Sequence, residues 1–299
     1  MDIKKYLQEK KEVVDKALEN YLPKQTEKGG EEEFPALLRQ AMRHSLFSGG
    51  KRIRPILSIA AYEAAGGQGD KIIPFACALE MIHTYSLIHD DLPAIDNDDY
   101  RRGNPTCHKV FGEAMGILAG DGLLTEAFRL MTHPSTSAPG VVVEVIHEIA
   151  QASGISGMVG GQVADIASEG KEVKLPTLQY IHTHKTGALI TVSVRTGAKL
   201  GGGTVETVNS FTRYGEKIGH AFQIVDDILN VEGKPELLGK NTGSDLFKKK
   251  ATYPALLGLE ESKKTAKALM ESAIADLQSF GPEVEPLREI AQYIVLREN

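Results

Sequence analysis

The stretch IIPFACALEMIHTYSLIHDDLPAIDNDDYRRG, residues 72–103, is apolar on nearly every side up to His89. It then crowds Asp90, Asp91, Asp96, Asp98 and Asp99 together and follows them at once with Arg101 and Arg102. A helix that is apolar all round is a buried helix. Pro93 has no backbone donor and pushes Leu92 out of helical geometry, so the helix is expected to end close to Asp90 and Asp91. Carboxylates there meet the negative end of the helix dipole and one another, and the cluster therefore calls for a cation, for water, or for both. Asp96, beyond the break, can fold back beside Asp90. A solvated acidic loop is the plain alternative.

A second stretch weighs against that alternative. IGHAFQIVDDILNV, residues 218–231, is another nearly all-apolar helix, and it carries Asp226 and Asp227. Burying unpaired carboxylates is costly, so two such pairs on two buried helices favour cations between them. A carboxylate-only set suits Mg²⁺ or Mn²⁺ rather than zinc, and Mg²⁺ is usually completed by water and phosphate oxygens. A calcium EF-hand is excluded, because a register starting at Asp96 puts Arg101 where glycine must stand.

Phosphate is also what the basic residues suit. GGKRIRP (49–55) sets Lys51 and Arg54 three apart, expected on one face of a helix start. Arg101 and Arg102 follow the acidic cluster, Lys185 and Thr186 stand in HKT, and Lys240 and Lys250 come later. Singly, each reads as a solvated surface charge. With two Asp-Asp helices they describe a diphosphate pocket, metals on one flank and guanidinium and ammonium groups on the other. GGKR does not have P-loop spacing, which disfavours nucleoside triphosphate chemistry.

The rest of the chain fits one all-α domain over residues 1–299. Helical period dominates, with breaks expected at Pro23–Gly30, Gly66–Gly69, His133–Gly140, Glu169–Pro176, Gly201–Gly203, Gly233–Gly243 and Gly281–Pro282. VVVEVI (141–146) is β-branched but runs on into HEIAQAS without a partner strand, and so is read as helix. Lys plus Arg is 34 against 40 for Asp plus Glu, a net charge of −6 with no global pull toward nucleic acid or an anionic membrane. The two cysteines match no zinc spacing, and the N-terminus is a charged amphipathic helix rather than a signal peptide. A soluble, unexported protein of the cytoplasm, with no nucleic-acid or membrane partner, is expected.

These residues closely resemble the short-chain trans-isoprenyl diphosphate synthases, especially the bacterial farnesyl diphosphate synthases. The resemblance runs over nearly the whole chain through GGKRIRP, MIHTYSLIHDDLPAIDNDDYRRG (81–103), GMVGGQVAD (157–165), HKTGALI (184–190), AFQIVDDILN (221–230) and KKATYPALLG (249–258). It implies an all-helical bundle around a deep central cavity, usually a homodimer, with the two acidic motifs facing each other. It implies three Mg²⁺ ions per active site, with Asp90, Asp96 and Asp226 as ligands and Asp91 and Asp227 assisting. Arg101, Lys185, Thr186, Gln223, Lys240 and Lys250 would contact an allylic diphosphate, dimethylallyl or geranyl. Lys51, Arg54, His83 and Arg102 would hold isopentenyl diphosphate, and Gln162 and Asp165 would line the cavity. Asp98 and Asp99 are expected in solvent or paired with the arginines. Asn230 departs from the usual third acid of the second motif. Tyr85, five before Asp90 and so roughly 7 Å deeper along the helix, would floor the cavity beside Ser86 and favour a fifteen-carbon product. A geranylgeranyl diphosphate synthase, a class I terpene cyclase, a non-catalytic prenyltransferase subunit and a plain helical scaffold are the rival readings.

Overall fold

Apolar periodicity becomes helix almost everywhere. The computed structural model describes residues 1–24, 33–132, 138–232 and 251–296. Within them run α1 (Ile3–Tyr21), α2 (Glu33–Leu46), α3 (Ile53–Ala64), α4 (Ile73–Asp90), α5 (Cys107–Phe111), α6 (Glu113–Met131) and α7 (Pro139–Ser153). There follow α8 (Met158–Ser168), α9 (Leu175–Ile181), α10 (Ala188–Leu200), α11 (Val205–Glu232), α12 (Tyr253–Leu257), α13 (Leu259–Ala275) and α14 (Glu285–Leu296). A π-helical segment, His182–Gly187, joins α9 to α10. The fold class is all-α, as expected, and VVVEVI lies in α7. Regular β-structure among the described residues is one short hairpin, β1 (Tyr100–Arg101) against β2 (Asn104–Pro105), which the helical reading passed over. The expected breaks at Pro23–Gly30, His133–Gly140 and Gly233–Gly243 fall wholly or largely outside the described residues.

Local chemistry sets the helix ends. The Asp2 side chain caps α1 by accepting the Lys5 N–H at 3.1 Å. Prolines stand in the first turns of α4, α7, α9 and α12, where a missing N–H costs nothing. α4 stops at Asp90, as Pro93 requires.

α4 packs on α6, α3 crosses α10, and α11 lies against both α10 and α13. Phe75, Leu79, Met81 and Ile82 of α4 join Leu123 and Ala127 of α6 in one apolar cluster, while Leu57, Ile190, Phe211, Tyr214 and Ile290 anchor a second. Each such side chain fully buried contributes roughly 1.5–3 kcal/mol. By length and composition the helical run Asp70–Asp90 would pass as a membrane span, yet 72% of it is buried inside the protein's own core. It is the buried helix its composition announced.

One polar tie crosses this core. Arg52 precedes α3 in a left-handed conformation (φ 54°) and is 3% exposed. Its guanidinium donates to Asp15 of α1 at 2.8 Å, to Glu80 of α4 at 2.7 Å and to the Leu46 carbonyl of α2 at 2.7 Å. Three helices thereby fix the loop that carries Lys51.

Candidate active site

The first acidic cluster is a built turn rather than a loose loop. After α4 the Asp96 N–H donates to the Asp90 carbonyl at 2.8 Å, and Asn97 takes a left-handed φ of 51° as its N–H returns to the Leu92 carbonyl at 3.0 Å. Asp96 thus folds back on Asp90, as expected. Burial pushes the Asp90 carboxyl up from its ordinary range, with Asp96 and Asp91 adding to the rise and Lys185 and Arg101 opposing it. Asp91 points elsewhere. It is 4% exposed and accepts from Arg101 Nε at 2.7 and 2.8 Å, while Asp98 lies 3.7 Å from the same guanidinium. Asp99 pairs with Lys109 at 3.0 Å instead of an arginine, because the hairpin turns it outward.

The second cluster is held from the other side of the sequence. On α11 the Asp227 carboxylate is buried and accepts the Tyr253 backbone N–H at 2.9 Å and Gln223 Nε2 at 3.3 Å. Gln223 Oε1 in turn accepts the Thr186 hydroxyl at 2.8 Å. Thr186 and Lys185 sit in the π-helical segment, a distortion frequent at functional sites. Glycines let the neighbours approach it: a Cβ on Gly219 of α11 would lie 2.8 Å from Gly187, and one on Gly161 of α8 would strike the Lys185 backbone. Lys185 Nζ bonds Asp165 at 2.7 Å. A path therefore runs from Asp90, which feels the Lys185 charge, through the adjacent Thr186 and Gln223 to Asp227.

A basic cluster stands at the start of α3 and the end of the hairpin. Helix α3 begins only at Ile53, so Lys51 stands outside it and the expected shared helical face with Arg54 does not form. The left-handed Arg52 intervenes and turns its own side chain into the core. Arg102 lies over Gly50 (φ 122°), where a Cβ would come within 2.6 Å of it, and it also bonds the Gly49 carbonyl. Arg54 is half-buried, its Nε shielded from solvent without a hydrogen-bond partner, and burial brings its guanidinium down to about 10, offset in part by Glu80 and Asp226. His83 is kept neutral, its pKa driven well down by burial and by Arg54, Arg102, Arg101 and Arg52 around it. Lys240 and Lys250 lie outside the described residues. Tyr85 is 7% exposed, stacked edge-on to His89 at 5.7 Å, with its hydroxyl pushed up to about 12 by burial and Asp90. Ser86 donates to the His83 carbonyl at 2.8 Å.

Among the described residues no group of three or more His, Cys, Asp or Glu side chains converges to hold a metal unaided. The donor set nonetheless fits Mg²⁺: Asp90 and Asp96 sit together, mutually unfavourable, and a hard cation sharing its remaining positions with water and phosphate needs only one or two carboxylates. Sequence reasoning missed Arg52, His182, His220 and Tyr253. Arg52 stands inside a motif that drew attention to its neighbours, and the others carry no charge pattern to flag them.

One folded-back acidic turn, a second Asp-Asp pair on a buried helix and a cluster of arginines on an all-α frame are the features of one family. The chain belongs to the polyprenyl synthetase family, whose profile matches residues 35–291. It is 48% identical to the geranylgeranyl diphosphate synthase of Cyanophora paradoxa, over 98% of this chain and 96% of that one. It is 46% identical to the farnesyl diphosphate synthase of Geobacillus stearothermophilus, over 100% and 99%. The geranyltransferase of Helicobacter pylori, solved with magnesium and isoprenyl diphosphate, superposes with a TM-score of 0.84 at 31% identity, covering 99% of this chain and 97% of that one. Trans-prenyl transfer is the activity these relationships support.

Proposed function

We propose that the chain condenses isopentenyl diphosphate with dimethylallyl or geranyl diphosphate and releases (2E,6E)-farnesyl diphosphate. The observation that carries this reading is a second basic group apart from Asp90 and Asp96, in which Arg102 folds over the Gly49–Gly50 loop and, with Arg54, holds His83 neutral. A class I terpene cyclase has no use for a second diphosphate site, and a scaffold has no use for either. Asp90, Asp96 and Asp226 would hold Mg²⁺, with Mn²⁺ as substitute. When bound, the metal would draw charge from the allylic diphosphate and make it a good leaving group. Arg101, Lys185, Thr186 and Gln223 would grip that diphosphate, with Lys240 and Lys250 in the same role by resemblance. Lys51, Arg54, His83 and Arg102 would hold the other substrate so that its double bond faces the carbon losing the carbon–oxygen bond. A carbon–carbon bond forms, and a proton leaves for the released diphosphate. No protein nucleophile is needed. Assembly as a homodimer in the cytoplasm belongs to the same reading, and the exposed Val110, Ile117 and Leu118 of α5 and α6 are apolar surface a second copy would cover.

The fifteen-carbon limit is supported by Tyr85, a buried ring two places beyond His83 on α4 and near Asp90. Purified protein with Mg²⁺, isopentenyl diphosphate and dimethylallyl diphosphate is expected to yield fifteen-carbon product by chromatography. A twenty-carbon product would transfer the chain to the activity named for its Cyanophora relative, and no product would end the catalytic reading. Tyr85→Ala is expected to lengthen the product. A variant that still stops at farnesyl diphosphate would remove Tyr85 as the ruler.

A further inference from the structure

Tyr253, at the start of α12, meets α11 twice. Its hydroxyl lies 2.6 Å from His220 Nε2, and its backbone N–H donates to Asp227 Oδ2 at 2.9 Å. Positions 220, 223 and 227 recur at i, i+3 and i+7, so His220, Gln223 and Asp227 share one helix face. His182 of the π-helical segment stacks on the Tyr253 ring at 5.4 Å and closes the cluster from the opposite side. Tyr253 is 1% exposed and Asp227 is 5% exposed.

We propose that Tyr253, gripped by His220 and Asp227, is a positioning residue for the allylic diphosphate side of the site, acting through Asp227, Gln223 and Thr186. The logic is one of donors and acceptors. An ionised carboxylate only accepts, so Asp227 fixes the Gln223 amide with its NH₂ turned inward and its oxygen toward Thr186. Were Asp227 free to swing away, the amide could flip and Thr186 would lose the acceptor that orients its hydroxyl. Tyr253 prevents this by occupying the second carboxylate oxygen with a backbone N–H, a donor no side-chain rotation can withdraw. The His220 bond holds Tyr253 in register two helical turns from Asp227. Asp227 is thereby a structural acceptor, while Asp226, one place earlier, points off that face.

The inference rests on the reading that Thr186 and Gln223 meet the allylic diphosphate, and its test separates the two. In Tyr253→Phe and His220→Leu the KM for geranyl diphosphate is expected to rise about three- to tenfold, with the KM for isopentenyl diphosphate within about twofold of wild type. The double variant is expected to be no worse than the poorer single one, since both break one bond. Lowered Tm with an unchanged geranyl diphosphate KM, or additive effects, would overturn the proposal. Hydrogen exchange at the Tyr253 amide, measured without substrate or metal, is expected to quicken in His220→Leu and in Asp227→Ala. Wild-type exchange in both would overturn the clamp even in an active enzyme. A wild-type protein that makes no prenyl product yet shows the quickened exchange would instead overturn the proposed function and leave the clamp standing.

Discussion

Asp91 and Asp227 are each the second acid of an Asp-Asp dipeptide, Asp91 capping α4 and Asp227 lying within the last turns of α11, and different partners hold them. Asp91 is gripped by a guanidinium from a hairpin ten residues on, a charge-assisted bond in which both partners are largely out of water. Asp227 accepts from a backbone N–H 26 residues away and from a side-chain amide, with His182 Nε2 3.6 Å from the same carboxylate. The first turn is a local ion pair, and the second is a long-range weave that passes through α12 and the π-helical segment. In each pair the second acid is held by the protein's own donors; the proposed function gives Asp90 and Asp226 the ligand roles.

The largest expected effect tests that division. Asp90→Ala is expected to lower turnover by orders of magnitude, since Asp90 is one of the acids proposed to hold Mg²⁺. Comparable steady-state rates for wild type and this variant would break the assignment. Next comes stability. Arg101→Ala leaves a buried carboxylate without its main counter-charge and is expected to cost about 3 kcal/mol or more in urea unfolding. Asp227→Asn keeps an acceptor for the Tyr253 N–H and is expected to cost about 1 kcal/mol. Equal losses would erase the contrast between the two turns.

Acid sharpens the comparison further. Burial, with His220 beside it, brings His182 down to about 3 in the folded chain. The unfolded chain titrates this histidine near 6.5, so below that pH it binds the proton that the fold refuses. Stability from this group is complete above about pH 6.5 and is lost as the pH falls toward 3, by on the order of 1.4 kcal/mol per unit. His182→Gln is expected to flatten the pH dependence of the urea midpoint, and an unchanged slope would remove His182 as its source. The smallest effect is reserved for Asn230→Asp, expected to change turnover by less than about twofold. A large gain would mean that the missing third acid had been limiting.

Much of this was legible in residues 72–103 alone. An apolar run ended by Asp-Asp and a proline three beyond Asp90 gave a buried helix with its acids at the tip, and the structure ends α4 at Asp90. The fold-back of Asp96 followed from the same proline. The choice of partner was not legible, because it depends on residues brought together by folding. Nothing in the spelling of AFQIVDDILN says that Tyr253 will arrive to claim Asp227. Nor does GGKRIRP announce that its middle arginine turns inward: a left-handed Arg52 is favoured only because Glu80 and Asp15 await it. Helical spacing therefore gave the wrong face for Lys51 and Arg54.

That inward arginine couples the N-terminal helix to the chemistry at a distance. Clipping or displacing α1 would release Asp15 from Arg52 and slacken the glycine loop. Val14 and Leu18 of α1 are fully buried in the core, so a weakened α1 would loosen both the loop and the helices it packs on.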